Sequence, residues 1–355
     1  MDKFFSVKGA KLLDPCGKPV LLRGVNKMFI FEQDPTKRIG TNILPEIAKT
    51  GVNCVRIVWS MQRFDANNTL VDTSVEELDA VITNCKAQKM IPIVGLWDFT
   101  GDADSRSGFD KLPQYVDFWT RTDVLTVLKK HENALIINIA NEAAPECDDS
   151  DEQLNAILPE YIKSYTDTIV KMRTAGIKVP LMIDGLDFGK SLKCFSFIRT
   201  GQTINTATEL LKIDVQKNLI FSFHSYWSKR FTDGQTFVED IFNKAVADGF
   251  CFIDGELSKY GGFADGESIC SDKGEVDYQR FAKLCAKNKV GYLLWEWGLG
   301  NESNDPICVK MNMTTDGTFA GLKDWGKVMV NDKKFGFQVA GRFTKYLKSG
   351  FQKCT

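Results

Sequence analysis

Apolar positions along the chain alternate between two regimes. Short runs rich in β-branched and aromatic residues, such as 52–59, 91–97 and 219–223, are followed by longer stretches with apolar residues at helical spacing. This alternation predicts parallel strands joined by helical crossovers. Strands are predicted over 20–26, 52–59, 91–97, 134–140, 180–183, 218–224, 250–255 and 290–295. The intervening helices carry their own punctuation. The first, 42–49, stops at Gly51. The second starts at Ser74 with Glu77 three positions on, a capping box, and turns Val75, Leu78, Val81, Ile82 and Cys85 to one face. A third opens at Pro113 and carries Tyr115, Phe118 and Trp119 inward, and a long one runs through Tyr161, Tyr165 and Ile169 to Gly176, with Pro159 at its start or at a kink. Further helices are expected over 237–247 and 278–287, and a helical return from Phe319 onward. Eight strand–helix units without a linker predict an α/β fold, a single (β/α)8 TIM barrel over 1–355, with a small N-terminal β-hairpin of 4–7 and 11–13 around Gly9-Ala10. A doubly wound two-domain alternative lacks any Gly-rich phosphate fingerprint after a strand.

Composition narrows the chemistry. Lys+Arg 45 against Asp+Glu 46 leaves a net charge of −1, and the basic residues are scattered, so neither nucleic acid nor an anionic membrane is an expected partner. The longest apolar runs fall far short of the roughly 20 residues that a membrane-spanning helix needs. Only His131 and His224 are present, which removes His-rich metal sites. His131 reads as a helix-terminal capping or solvent residue. No metal or cofactor is expected, and carboxylates become the leading candidates.

The 10 cysteines are widely spaced, with no close pair of the kind zinc ribbons and redox motifs use. That pattern suits disulfides in a secreted, extracellular protein. From the layout, Cys54 with Cys85 and Cys251 with Cys285 would bridge strand to helix, Cys147 with Cys194 and Cys270 with Cys308 would join loops, and Cys16 with Cys354 would join the ends. Three N-x-[ST] acceptors, Asn67, Asn301 and Asn312, add slight support. The opening Met-Asp-Lys-Phe-Phe-Ser lacks a signal core, so either a signal has been removed or none existed, and a mature secreted chain is expected. A monomer is expected.

In such a barrel the active site lies where strands end. There the chain places Asn26, Arg56 and Trp59, Trp97 and Asp98, Asn141 and Glu142, Asp184, His224 with Tyr226 and Trp227, Asp254 and Glu256, then Trp295 to Trp297. Carboxylates, an amide, a guanidinium and indoles on one rim are what a carbohydrate site needs. Plainer roles stand beside these: Arg56 and Asp184 as a structural ion pair, Trp59 and Trp97 as core fillers, and Asp98, Asp254 and Glu296 as rival acids. Glu142 and Glu256, directly after apolar strands, would be costly as unpaired buried charges.

Ile136-Ile-Asn-Ile-Ala-Asn-Glu142, His224-Ser-Tyr226, Ile253-Asp-Gly-Glu256 and Leu294-Trp-Glu-Trp297 resemble, in order and strand position, the motifs of glycoside hydrolase family 5. The resemblance covers nearly the whole chain, and the run from Trp119 to Glu142 looks most like its endo-β-1,4-mannanase branches, particularly the secreted animal ones. It implies cleavage of a β-mannan-type polysaccharide or oligosaccharide by a retaining double displacement. Glu142 would be the acid/base, Glu256 the nucleophile and Asn141 a hydroxyl ligand. Arg56 and Tyr226 would hold the nucleophile, and His224 and Trp295 would shape the sugar subsite. Trp59, Trp97, Trp227 and Trp297 are expected to supply stacking plates. Trp97-Asp98 stands where many family members have a His, which puts hydroxyl recognition at that wall in doubt. A cellulase of the same family, or a carbohydrate-binding protein without turnover, are the alternatives.

Overall fold

A computed structural model of the chain describes residues 4–100, 108–228, 232–262, 274–298, 306–338 and 343–354. Eight parallel strands close into a barrel in chain order: β1 (Arg23–Lys27), β2 (Cys54–Trp59), β3 (Ile91–Leu96), β4 (Ile136–Asn138), β5 (Leu181–Asp184), β6 (Leu219–His224), β7 (Phe252–Leu257) and β8 (Gly291–Leu294), the last pairing back onto β1. Around them run α1 (Ile43–Ala48), α2 (Val75–Ala87), α3 (Gly108–Trp119), α4 (Thr122–His131), α5 (Asp151–Thr174), α6 (Thr206–Ile213), α7 (Thr232–Ala247), α8 (Tyr278–Asn288) and α9 (Asp324–Asn331). The architecture is the expected (β/α)8 barrel. The pattern anticipates only the His131 end of α4, and it leaves out α6 and an antiparallel hairpin, Gln62–Phe64 with Leu70–Asp72. Helix α3 begins before Pro113 and α5 before Pro159, so each loses one i to i−4 bond internally. Ser74 Oγ accepts the Glu77 N–H at 3.1 Å, as a capping box requires, but the Glu77 carboxylate turns to Arg38 (2.7 and 2.9 Å).

Alternation along the strands divides the core in two. Val55, Ile57 and Val94 face outward onto Leu78, Val81, Ile82 and their like on the helices. Leu22, Cys54, Ile91, Ile93, Ile136, Met182, Ile220, Ile253 and Leu293 form a separate cluster that fills the lower barrel. Phe5, Leu12, Tyr346 and Phe351 complete that plug from below. The predicted hairpin is present as Ser6–Lys8 with Lys11–Leu13, joined by a third strand, Pro19–Val20. Asn218, at the foot of β6, receives the Val7 N–H (3.0 Å) and donates to the Phe5 carbonyl (3.0 Å), which fastens this cap to the barrel.

One disulfide, Cys16–Cys354, is present among the described residues. The expected strand-to-helix bridges do not form, and the pleat explains why. Cys54 and Cys251 belong to the inner cluster, whereas Cys85 and Cys285 sit in the outer layer. Cys147 and Cys194 are also buried thiols, Cys194 donating to the Ser191 carbonyl at 3.0 Å. Cys270 and the Cys308 side chain lie outside the described residues. His131 is not a solvent residue: it closes the buried face of α4, with Nε2 at 2.6 Å from Asp79 Oδ1 and Nδ1 at 3.2 Å from Lys86 Nζ. Asn312 is buried and offers no glycan acceptor, Asn67 is exposed, and Asn301 lies outside the described residues.

Candidate active site

Above the apolar plug the barrel interior turns polar: Asn26, Arg56, Asn138, Asp184, His224 and Glu256 are all buried there. Such groups persist only when hydrogen-bonded, and Arg56 is the hub that satisfies them. Its Nη1 donates to Glu256 Oε1 (2.8 Å) and Asn26 Oδ1 (3.0 Å), and Nε and Nη2 donate to Asn138 Oδ1 (3.1 and 2.6 Å). Nη2 also donates to Asn141 Oδ1 and reaches Asp184 Oδ2 at 3.4 Å. Gly95 on β3 makes room for this arrangement, since a Cβ there would lie 2.8 Å from Asn138 Oδ1.

Glu142 follows β4 in the left-handed region, φ 48°, a conformation costly for a side chain bearing a Cβ. Its N–H donates to Asp184 Oδ2 at 3.1 Å, which holds the turn. A register shift between Phe223 and His224 sets His224 opposite Glu256, re-aiming both into the mouth. The result is a compact trio. His224 Nδ1 is 2.8 Å from Glu142 Oε1 and 3.8 Å from Glu256 Oε2, and one ligand atom from each of the three lies within 4.8 Å of the others. Tyr226 Oη donates to Glu256 Oε2 at 2.7 Å.

Burial and the neighbouring Asp184 carboxylate push Glu142 up to about 8. Burial also leaves Glu256 raised, with the Arg56 charge and the Tyr226 hydroxyl offsetting part of that rise. Burial lowers His224, which favours the neutral imidazole. The two carboxyls thus have different surroundings: one is desolvated beside another acid, the other clasped by a guanidinium and a phenol. Spatially the trio could offer a cation three ligand atoms. The Arg56 guanidinium on Glu256, however, already brings positive charge to that point and occupies an oxygen, so the donor set does not suit a dication.

The structure brings together Glu142, Glu256, Arg56, Asn141, His224, Tyr226, Trp97 and Trp295. Trp97 and Trp295 stack on each other, centroids 4.8 Å apart and 7° from parallel, and the Trp97 ring lies 5.5 Å from Arg56 Cζ. Trp59 and Trp297 do not join them. An odd offset from the inward-facing Arg56 turns Trp59 outward, fully buried against the helices. Trp297 is fully buried with Nε1 donating to the Gly317 carbonyl at 2.9 Å. Trp227 is half-buried, with Phe223 and Phe281 packed against it. The rival acids have other employment. Asp98 Oδ1 accepts the N–H groups of Met61 (2.7 Å) and Gln62 (3.3 Å), and Asp254 accepts from Ser225 Oγ at 2.7 Å. Glu296 is fully buried, raised by burial to about 7 against the pull of Lys27.

Sequence reasoning missed Asn138 and Gly189. An amide inside the apolar run 136–140 was a usable signal for the first. Nothing marked the second, whose carbonyl accepts the His224 N–H at 2.9 Å and whose absent side chain matters more. A Cβ on Gly189 would lie 2.6 Å from His224 Cγ and Nδ1, at a φ of +75°. Gly189→Ala is therefore expected to displace the imidazole and cut kcat/KM by on the order of 10²-fold, the cost typical of a misplacement of about 1 Å. Steady-state kinetics alongside thermal melting would check this, a lowered Tm with intact kinetics contradicting it.

The profile of the family described as Cellulase (glycosyl hydrolase family 5) matches residues 13–316. Among curated proteins, the chain is 26% identical over 330 residues to a mannan endo-1,4-beta-mannosidase of Cellvibrio japonicus (strain Ueda107), covering 92% of this chain and 66%, just under two thirds, of that protein. It is 27% identical over 327 residues to a protein of the same description from Salipaludibacillus agaradhaerens, covering 92% of this chain and 91% of that one. The crystal structure of a beta-mannanase from Streptomyces thermolilacinus superposes with a TM-score of 0.74 at 23% identity, over 96% of this chain and 99% of that one.

Proposed function

The chain belongs to glycosyl hydrolase family 5, and on that premise we propose that it cleaves internal β-1,4-mannosidic bonds of mannan or glucomannan with retention of configuration. The observation that carries the stereochemistry is the pairing of Glu142 and Glu256, whose oxygens approach within 4.8 Å. Retaining enzymes hold their carboxyls about 5–5.5 Å apart, whereas inverting ones leave about 6.5–9.5 Å for a water. Glu256, charge-compensated by Arg56 and Tyr226, attacks the anomeric carbon, and Glu142, protonated by its surroundings, delivers a proton to the departing oxygen. Once Glu256 is esterified its charge is gone, Glu142 becomes the base, and it activates the water that releases the sugar. Asn141 and His224 face the reacting ring, with the Trp97–Trp295 stack forming an adjoining wall. The curated relatives support the choice of mannan over cellulose, since both are described as mannan endo-1,4-beta-mannosidases. The same reading has the enzyme acting outside the cell as a monomer, and the Cys16–Cys354 bridge supports the oxidising compartment.

Reducing-sugar release from mannan, glucomannan and cellulose by one preparation tests the substrate. Release from the first two is expected, and activity confined to cellulose would overturn the mannan assignment. A pH profile tests the acid. Because Glu142 must be protonated in the free enzyme, kcat/KM should fall as pH rises through about 8, the value to which burial and Asp184 push it. For an activated aryl glycoside, whose departure needs no proton, this basic limb should be absent from the first step. A basic limb of equal size with both leaving groups would remove Glu142 from the acid's role.

A further inference from the structure

At the lower end of the barrel, where the strands begin, a groove of about 520 Å³ opens between the N-terminal cap and the end of α8. Its size falls in the range of small-molecule sites, and it lies at the opposite end of the strands from Glu142 and Glu256. Part of its lining is apolar: Leu12 and Val20 of the cap and Phe252 at the start of β7. Beside them stand Lys11, Arg23, Lys289 and Lys334, and among the described residues no carboxylate joins these four cations in the lining. The three lysines are exposed and make no ion pair among the described residues. Elsewhere Lys130, Lys190 and Lys193 are matched by Asp79, Asp187 and Asp151. In a protein of net charge −1 the groove is thus a local positive field that the fold leaves unbalanced.

Arg23 carries the same imbalance inward. It is 1% exposed, with Cζ 4.1 Å from the Tyr292 ring centroid. Its Nη1 donates to the carbonyls of Leu22 (2.9 Å) and Val290 (2.7 Å), but Nε is buried without a hydrogen-bond partner among the described residues. Buried guanidinium groups are normally paired with an anion. Asp254, the carboxyl whose charge reaches Arg23, is itself driven toward the neutral acid by burial and accepts from Ser225 Oγ at 2.7 Å. The carbonyl end of α8 would oppose an anion, yet it is already capped. The Leu284, Cys285 and Ala286 carbonyls accept from Asn288 Nδ2 (3.0 Å), the Val290 N–H (2.9 Å) and the Lys289 N–H.

We propose that this groove binds a small organic anion, a carboxylate head on an apolar body, with Arg23 and the three lysines receiving the head and Leu12, Val20 and Phe252 the body. The site is independent of the catalytic mouth and of the mannan reading. Its occupant ties the cap to β1, β7 and the end of α8, so binding stabilises the fold by mass action and leaves the chemistry at Glu256 untouched.

Calorimetric titration and thermal melting of the whole chain test this with three probes: octanoate, its neutral counterpart octanamide, and inorganic phosphate, which has a charge and no tail. Octanoate should bind at one site and raise Tm, more weakly as salt is added, and the other two should bind at least about tenfold less tightly. The triple variant Lys11→Ala/Lys289→Ala/Lys334→Ala should weaken octanoate by at least about tenfold, the equivalent of one charge-assisted hydrogen bond. Because these lysines are exposed and unpaired, the variant without ligand should melt with the wild type and keep its kcat/KM on mannan. Ala286→Leu, which fills the groove from α8 without touching a charge, should weaken octanoate as well. Octanoate that neither binds nor shifts Tm overturns the proposal, as does a triple variant that binds it like the wild type. Octanamide binding as tightly as octanoate removes the cations from recognition, and phosphate binding as tightly removes the apolar body; either result overturns the assignment.

Discussion

Alanine at Glu256 is expected to lower turnover of every substrate by at least about 10⁴-fold, the scale seen when a covalent nucleophile is removed. Alanine at Glu142 should behave differently. With a poor leaving group the first step should slow by about 10²–10⁴-fold, the usual worth of general acid catalysis. An activated aryl glycoside should still esterify Glu256 quickly, and the second step should then stall for want of a base. Azide, which needs no base, should enter the space left by the Glu142 carboxyl and yield a β-glycosyl azide of retained configuration. Glu256→Ala should form no covalent intermediate, and azide should give at most the inverted, α-configured product. The anomeric configuration of the azide products, read by NMR, separates the two roles, and exchange of the two outcomes would reverse the assignment. If neither variant lost activity, Asp98, Asp254 or Glu296 would have to take over, against the hydrogen bonds and burial that already occupy them.

Removal of the Arg56 side chain should be nearly as damaging, and to stability as well as rate. The guanidinium reaches Glu256, Asp184 and three amide oxygens at once, with no solvent exposure. Arg56→Met would leave two buried carboxylates without their cation, which costs about 3–5 kcal/mol of stability. It would also raise Glu256 further toward the protonated state, because the Arg56 charge is one of the groups that hold it down. A protonated nucleophile cannot attack, so the acidic limb of kcat/KM should move to higher pH and the rate at neutrality should fall by on the order of 10²–10³-fold, comparable to the loss of one strong electrostatic contact. Arg56→Lys keeps the charge without the fork and should recover stability before activity. Melting curves and pH profiles on the same samples would show this, and an unmoved acidic limb would mean that Arg56 serves architecture alone.

The barrel was legible because its pattern is local. Eight apolar runs of strand length separated by helical spacing allow few closures, and Glu142 and Glu256 stood out because an acid directly after an apolar strand is hard to explain by packing. Of helix α4 only the His131 end was legible, although Val124, Val127 and Leu128 carry its spacing, because a helix following another without a strand between them breaks the alternation of strand and helix. The tryptophans went astray for a different reason. A place near the rim does not fix exposure: one residue of offset decides which face of a strand a side chain occupies, and Trp59 lies on the helix side. The same parity, set only by the closed sheet, kept Cys54 apart from Cys85 and Cys251 from Cys285.

By itself the sequence determined the order of the eight strands and the layered apolar core, and it singled out Glu142 and Glu256 as the acids of the proposed mechanism through their place directly after apolar runs. Tertiary structure alone decided that Asp184 sits beside Glu142, that Gly189 must leave space for His224, and which face of its strand each tryptophan occupies. Those relations join residues tens to hundreds of positions apart, and no local periodicity encodes them. They arise when the barrel closes and its loops meet over a single mouth, where distance and dielectric, not residue type, set what each side chain can do.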